Sequence, residues 1–304
     1  MASYLVTGGC GFIGSHLADA LLARGDRVVV LDDLSGGSRD NLPPGVELRL
    51  GCITDRAAVS SALRDVDGCF HLAAIASVEK SNQEWYWTHQ VNLGGTVNIL
   101  DAASMAKPSV PVVYASSAAV YGDLGRNLAD EDALPMPRTA YGCDKAGCEM
   151  NARIVGSNRG LPTCGLRFFN VYGPRQDPSS PYSGVISVFA DRLRQSQGLN
   201  IYGDGEQVRD FVHVSDVVRA LLAAMGAAAP SAPVVNVCTA QPTSILGLAG
   251  IMMDVMGCEV PITHANARLG DIRYSRGSPA KADRVLDWRA ETQLRDGLSL
   301  LLGR

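Results

Sequence analysis

The chain has 304 residues, 46% of them hydrophobic and 19% charged, with a formal net charge of -4. That size and balance describe a globular protein of one large or two ordinary domains, with ample core. The slight acidity speaks against a nucleic-acid partner, which would call for a basic face, and no apolar run is long enough to cross a membrane.

Residues 3–7 read as a short buried strand. Gly8-Gly9-Cys10-Gly11-Phe12-Ile13-Gly14 follows at once, and a helical pattern then begins at Phe12, Ile13, His16, Leu17, Ala20 and Leu21. A strand running through spaced glycines into a helix is a nucleotide-binding turn. Gly8 or Gly9 permits the tight turn, Gly11 lets the backbone approach a pyrophosphate, and Gly14 lets the helix pack on the strand. The helix N-terminus offers free N–H groups to the phosphates. A second strand, 26–31, ends in Asp32, at roughly the 20-residue spacing expected for a carboxylate on the adenosine ribose. Asp33 opens the loop beside it, and Arg39 is the only nearby cation. A 2′-phosphate would want an arginine and would be repelled by Asp32, so the pattern favours NAD over NADP. The chain enters its first strand directly, which leaves no room for a signal peptide. Eight cysteines are scattered without a C-x-x-C pair or a zinc-spaced histidine. This points to a reducing cytoplasm and to no metal.

A third strand is expected at 46–50 and a short helix at 55–63. The fourth strand, 69–74, runs into Leu72, Ala73 and Ala74, where small side chains let a cofactor lie close to the sheet edge. One long helix is expected over 82–105, then a strand at 111–116, a helix at 140–158 and a strand at 163–167. Strands alternating with helices predict an α/β fold with a doubly wound parallel sheet, a Rossmann domain covering 1–170. Beyond it the texture changes. An irregular connection at 173–184 leads to a helix at 185–196, strands near 200–202 and 208–212, a helix at 215–227 and a strand at 234–237. Helices at 244–256 and 293–302 follow. This half, 171–304, reads as a smaller substrate domain closing over the cofactor, with some segments after 205 returning to the first domain.

Three residues could do chemistry. Tyr141 and Lys145 are four apart, so on a helix they share one face. A phenol is a poor base at neutral pH, and an ammonium beside it favours the phenolate. Ser117 stands just past the fifth strand, where its hydroxyl could bond a substrate oxygen.

With these residues in view, the chain resembles the extended short-chain dehydrogenases/reductases, and among them nucleotide-sugar epimerases of the UDP-glucose 4-epimerase type. The glycine turn, Ala115-Ser116-Ser117-Ala118-Ala119-Val120-Tyr121-Gly122 and Tyr141-Gly142-Cys143-Asp144-Lys145 match the cofactor and catalytic motifs. Arg167-Phe168-Phe169-Asn170-Val171-Tyr172-Gly173-Pro174-Arg175, Arg209-Asp210-Phe211-Val212-His213-Val214 and Arg268-Leu269-Gly270-Asp271-Ile272-Arg273 match the substrate-side motifs. The resemblance implies an NAD-dependent isomerase that interconverts UDP-hexoses through a 4-keto sugar. Tyr141 would be the base, Ser117 a hydrogen-bond donor, and Lys145 the partner of both Tyr141 and the cofactor ribose. Cofactor contacts are implied at Gly8, Gly11, Phe12, Ile13, Gly14, Asp32, Asp33, Cys52, Ile53, Leu72, Ala73, Ala74, Asn92 and Ser116, besides Tyr141 and Lys145. Substrate contacts are implied at Ser77, Ser117, Tyr141, Asn170, Val185, Arg209, Arg268, Asp271 and Ser275. Arginines suit a diphosphate because the planar fork binds two oxygens at once. The resemblance also implies a homodimer built on the helices 82–105 and 140–158.

Departures from the family's pattern bear on the reaction. Related dehydratases and decarboxylases carry an acid just before Val-Tyr-Gly, where this chain has Ala119. Cys52 stands where the family has an Asp for the adenine amino group, and Asp144 where Ser or Thr precedes the lysine. Ser275 replaces a tyrosine that narrows the sugar pocket, which implies UDP-GlcNAc and UDP-GalNAc as substrates, alone or beside plain hexoses. Two other readings stay open: another nucleotide-sugar enzyme (a decarboxylase, a dehydratase, or a uronate or heptose epimerase), and a non-catalytic NAD(P)-binding regulator.

Overall fold

Apolar runs such as Val28–Leu31 put side chains on both sides of one parallel sheet. The computed structural model describes residues 1–176, 184–267 and 271–304. The first half runs β1 (Ser3–Thr7), α1 (Phe12–Ala23), β2 (Arg27–Asp32), β3 (Glu47–Leu50), α2 (Arg56–Ala62) and β4 (Gly68–His71). It continues through α3 (Val78–Gln83), α4 (Trp85–His89), α5 (Gly95–Met105), β5 (Val112–Ser117), α6 (Ala140–Arg159) and β6 (Thr163–Phe168). The second half holds β7 (Asn170–Tyr172), α7 (Val185–Arg194), β8 (Leu199–Tyr202), β9 (Val208–His213), α8 (Val214–Ala227) and β10 (Val234–Val237). It ends with β11 (Pro242–Ser244), α9 (Ile245–Met256), β12 (Ile262–Ala265), β13 (Tyr274–Ser275), α10 (Ala280–Leu286) and α11 (Leu294–Leu302).

The main sheet has seven strands in the order β3-β2-β1-β4-β5-β6-β10. Every pair in it is parallel. Parallel strands are covered on both faces, so they read as unbroken apolar runs. In β2, Val28 and Val30 face one layer with Leu17 and Leu21 of α1 and Val217 and Leu221 of α8. Val29 and Leu31 face the other, with Val59 of α2, Ile99 of α5 and Ala152 of α6. This is the expected Rossmann arrangement. Chain order reverses between β1 and β4, and a crevice opens there beyond the carboxyl ends of the strands. Thr7 with the glycine turn, and His71 with Leu72–Ala74, form its two lips.

A third cluster, including Ile186, Phe189, Leu193, Leu199, Leu248, Met252 and Leu298, forms a separate core. Around it β9 pairs with β7, β11 and β13, and β8 with β12. After residue 205, α8 packs with α1 and β10 joins the main sheet beside β6.

The single helix expected over 82–105 is not what forms. Glu84, at φ -113 and ψ 49, leaves the helical region and separates α3 from α4. Gln90–Gly94 then widens into a π-helical turn before α5. Two contacts hold that turn: the Asn92 carbonyl accepts from Thr96 Oγ1 at 2.6 Å, and Ile53 packs on Gly95, where a Cβ would stand 2.5 Å from its Cδ1. The short pieces β7, β11, β12, β13 and α10 were not anticipated at all.

Candidate active site

The glycine turn is a cradle that side chains would fill. Gly8 has φ +70, and a Cβ there would lie 2.7 Å from the backbone nitrogen of Ala73. A Cβ on Gly14 would run into the Gly8 carbonyl, so α1 meets β1 only because that residue has none. Phe12 and Ile13 open α1, whose start has no side-chain cap, leaving its N–H groups to a ligand. Asp32 is buried at the end of β2. Its carboxylate accepts from the N–H of Cys10 at 2.9 Å and of Leu34 at 2.8 Å, tying the glycine turn to the loop that follows β2. Burial works against ionisation of Asp33, but the hydroxyl and N–H of Ser35 outweigh it and hold that carboxyl below its usual range. Cys52 sits beside Asp33 and accepts from Thr54 Oγ1 at 3.2 Å. Ile53 is buried under α5. These residues fit a dinucleotide: a backbone cradle, a helix start and two carboxylates on one rim.

On the catalytic side, Thr139 caps α6 through its Oγ1, which accepts from Gly142 N at 3.0 Å. The first turn of α6 then lies against the turn after β5: a Cβ on Gly142 would be 2.5 Å from the Ala119 carbonyl. Lys145, 4% exposed, donates to the Ala115 carbonyl at 2.8 Å. Its Nζ stands 5.7 Å from the centre of the Tyr141 ring. Ser117 ends β5 two residues beyond Ala115, its Oγ accepting from Ala119 N at 3.1 Å. The expected trio therefore gathers where β5 meets the head of α6.

Other expected site residues are already engaged. Ser116 points the opposite way from Ser117, is buried, and donates to Glu149. Asn92 clamps the main chain of Ile75, accepting from its N–H at 2.8 Å and donating to its carbonyl at 3.1 Å. Ser77 caps α3 through Lys80 N at 2.9 Å. Asn170 donates to the Asp210 carbonyl at 3.2 Å. Arg209 and Asp271 form one ion pair, and Arg209 also donates to the Ile272 carbonyl at 2.8 Å. Burial pushes the Arg209 guanidinium below its usual value, and Asp271 offsets part of that. Ser275 lies opposite Arg209 in the β13–β9 register. Val185 begins α7 at the edge of the third core. Arg268 lies outside the described residues.

A buried ion pair and a carboxylate–histidine hydrogen bond beside the trio escaped the sequence reading. Glu149 of α6 holds Arg167 of β6 in a two-pronged bond of 2.9 and 2.8 Å. The guanidinium lies 4.6 Å above the Tyr121 ring. Asp144, next to Lys145, turns away from the site to His89 Nδ1 at 2.7 Å, stapling α6 to α4. Its second oxygen is buried without a partner among the described residues. No local signal marks either pair, because the partners are far apart in the chain.

All eight cysteines are free thiols. No helix among the described residues is long and apolar enough to cross a membrane, and no group of His, Cys, Asp and Glu there could hold a metal.

Residues 4–238 match the model of the NAD dependent epimerase/dehydratase family. A putative UDP-glucose 4-epimerase of Methanocaldococcus jannaschii is 35% identical, over 97% of this chain and 95% of the relative. The crystal structure of UDP-glucose 4-epimerase from Thermotoga maritima with UDP-glucose superposes with a TM-score of 0.95 at 34% identity, covering 99% of this chain and 97% of that one. A UDP-N-acetyl-alpha-D-glucosaminuronate decarboxylase of Bacillus cytotoxicus is 32% identical over 90% of this chain and 84% of the relative.

Proposed function

The chain belongs to the NAD dependent epimerase/dehydratase family, and on that footing we propose that it is a UDP-sugar 4-epimerase with UDP-GlcNAc and UDP-GalNAc among its substrates. The observation that supports this best is the gathering of Ser117, Tyr141 and Lys145 at the head of α6. NAD, when bound, supplies a reversible acceptor for the hydrogen of the sugar carbon. The glycine turn, Asp32, Asp33 and residues 72–74 would hold it. Tyr141 removes the proton of the sugar 4-hydroxyl and returns it when the opposite configuration forms. Ser117 donates a hydrogen bond to the developing carbonyl oxygen. Lys145, fixed to the end of β5, stands beside the phenol and would hold the cofactor ribose. Asn170 and the Arg209–Asp271 pair bind the uridine diphosphate, leaving the sugar free to turn over.

The turn after Ser117 bears on the reaction. Ala118 and Ala119 offer no carboxylate for the proton transfers a dehydratase or decarboxylase makes, and the nearby Glu149 is committed to Arg167. This favours epimerisation over those relatives' activities. The presence of the Tyr141–Lys145 pair speaks against a non-catalytic NAD(P)-binding regulator. Product analysis on a panel of nucleotide sugars tests the reading: a decarboxylated or dehydrated product would overturn it. Activity confined to UDP-glucose would overturn the acetylated substrate. Ser275→Tyr is expected to lower turnover of UDP-GlcNAc at least ~10-fold while sparing UDP-glucose, since a large ring would occupy space the acetyl group needs. Equal losses on both sugars would remove Ser275 from the pocket.

We further propose a homodimer in a reducing compartment such as the cytoplasm, which eight unpaired thiols suit. Trp85, Tyr86 and Trp87 of α4, Val97 of α5, and Met150 and Ile154 of α6 are exposed. Apolar side chains concentrated on neighbouring helices favour burial against another protein. Light scattering is expected to give twice the chain mass, and Trp87→Glu to shift it toward the monomer. A monomeric wild-type protein would exclude this interface.

A further inference from the structure

Below the crevice runs a line of buried side chains without a role in the chemistry above. Thr7 ends β1, immediately before the glycine turn. Its Oγ1 accepts from the N–H of Ala73 at 3.2 Å and shares the N–H of Leu72, also at 3.2 Å, with the Thr7 main-chain carbonyl at 3.1 Å. A hydroxyl has two lone pairs and one proton. His71 Nδ1 lies 2.7 Å from the same oxygen. The Thr96 hydroxyl gives its one proton to the Asn92 carbonyl, so the ring proton sits on Nε2, which donates to Thr96 Oγ1 at 3.0 Å, and Nδ1 accepts from Thr7 Oγ1. Thr96 in turn donates to the Asn92 carbonyl at 2.6 Å and accepts from Cys148 Sγ at 3.3 Å. The Asn92 amide closes on Ile75.

We propose that His71 is a positioning residue, locked as the Nε2–H tautomer, that sets the gap between the glycine turn and residues 72–75. The inference rests on the NAD assignment, because those two segments are the lips of the cofactor crevice. Their spacing is tight: Ala73 abuts Gly8, with no room for a Cβ between them. A second ring proton would break the relay. Nδ1–H would then compete with the Ala73 N–H for the Thr7 oxygen, and the Thr7 proton would lose its acceptor. Burial, joined by the charge of Lys145, holds the ring's pKa down at about 3.

Two measurements test this. In wild-type protein labelled with 15N-histidine, the His71 signals are expected to show Nε2 protonated and Nδ1 bare, unchanged from about pH 8 to about pH 5, where an ordinary imidazole titrates. A protonated Nδ1, or titration in that range, overturns the proposal, and this reading requires no variant to fold. Second, Thr96→Val removes the acceptor for Nε2–H and the donor to Asn92. The protein is expected to lose NAD on dialysis roughly tenfold faster, in line with one unmet buried hydrogen bond. Thr96→Ser, which keeps the hydroxyl, is expected to restore retention to within about twofold. Retention unchanged in Thr96→Val, or no better in Thr96→Ser than in Thr96→Val, overturns the role of the relay. Wild-type protein that never holds NAD would instead refute the cofactor assignment and leave the tautomer measurement standing.

Discussion

Tyr141→Phe is expected to cut epimerase turnover by about 10²–10⁴-fold, the range for loss of a positioned acid–base group, while the protein melts within a degree or two of wild type. The two halves of this expectation rest on different atoms. In the proposed reaction the phenolic oxygen exchanges a proton with the sugar, and phenylalanine lacks only that oxygen. Among the described residues the hydroxyl makes no hydrogen bond that the fold depends on, whereas the backbone N–H of Tyr141 is bound to Ser81 Oγ at 3.2 Å and survives the change. Lys145 also keeps its own anchor on the Ala115 carbonyl, so the head of α6 stays in place. The variant is accordingly expected to retain NAD and UDP-sugar while failing to interconvert them. Turnover near the wild-type rate would show that another group moves the proton, and the assignment of the trio would fall with it.

The features legible beforehand were those written in short-range pattern. Unbroken apolar runs such as Val28–Leu31 mark strands buried on both faces, and the glycine turn is confined to seven consecutive residues. Tyr141 and Lys145 lie one helical turn apart, so their shared face follows from spacing alone. What was missed is non-local. Strand β13 is two residues long and exists because β9 lies beside it. The widened turn at Asn92 packs against Cys148 and Ile53, which are distant in the chain and leave no mark on its helical periodicity. Asn92 and Ser116 were expected at the cofactor, yet their side chains hold up the main chain of Ile75 and the carboxylate of Glu149. A motif records that a polar residue belongs at a place. It does not record whether that residue faces the ligand or the residues that support it.

The Glu149–Arg167 pair carries the largest stability consequence of that hidden support. Arg167 is 4% exposed, and its two hydrogen bonds to one carboxylate are its only charge compensation among the described residues. Burial alone would weaken the guanidinium's hold on its proton; the bonds and charge of Glu149 more than offset this and raise its pKa above the usual value. One nitrogen, Nη1, has no hydrogen-bond partner among the described residues even so. Glu149→Gln removes the charge and keeps the shape. It is expected to cost about 3–5 kcal/mol, because an uncompensated cation is left in the interior, and to lower the melting temperature by roughly 5–15 °C. Ser116 loses its charged acceptor in the same step. The double variant Glu149→Leu with Arg167→Met is expected to recover most of that loss, since a well-packed apolar pair in place of a buried ion pair is often neutral or stabilising. A single variant as stable as wild type would show that solvent reaches the guanidinium. A double variant no better than the single would show that the pair stabilises the protein by its shape and hydrogen bonds, including the stacking of Arg167 on Tyr121, more than by its charge.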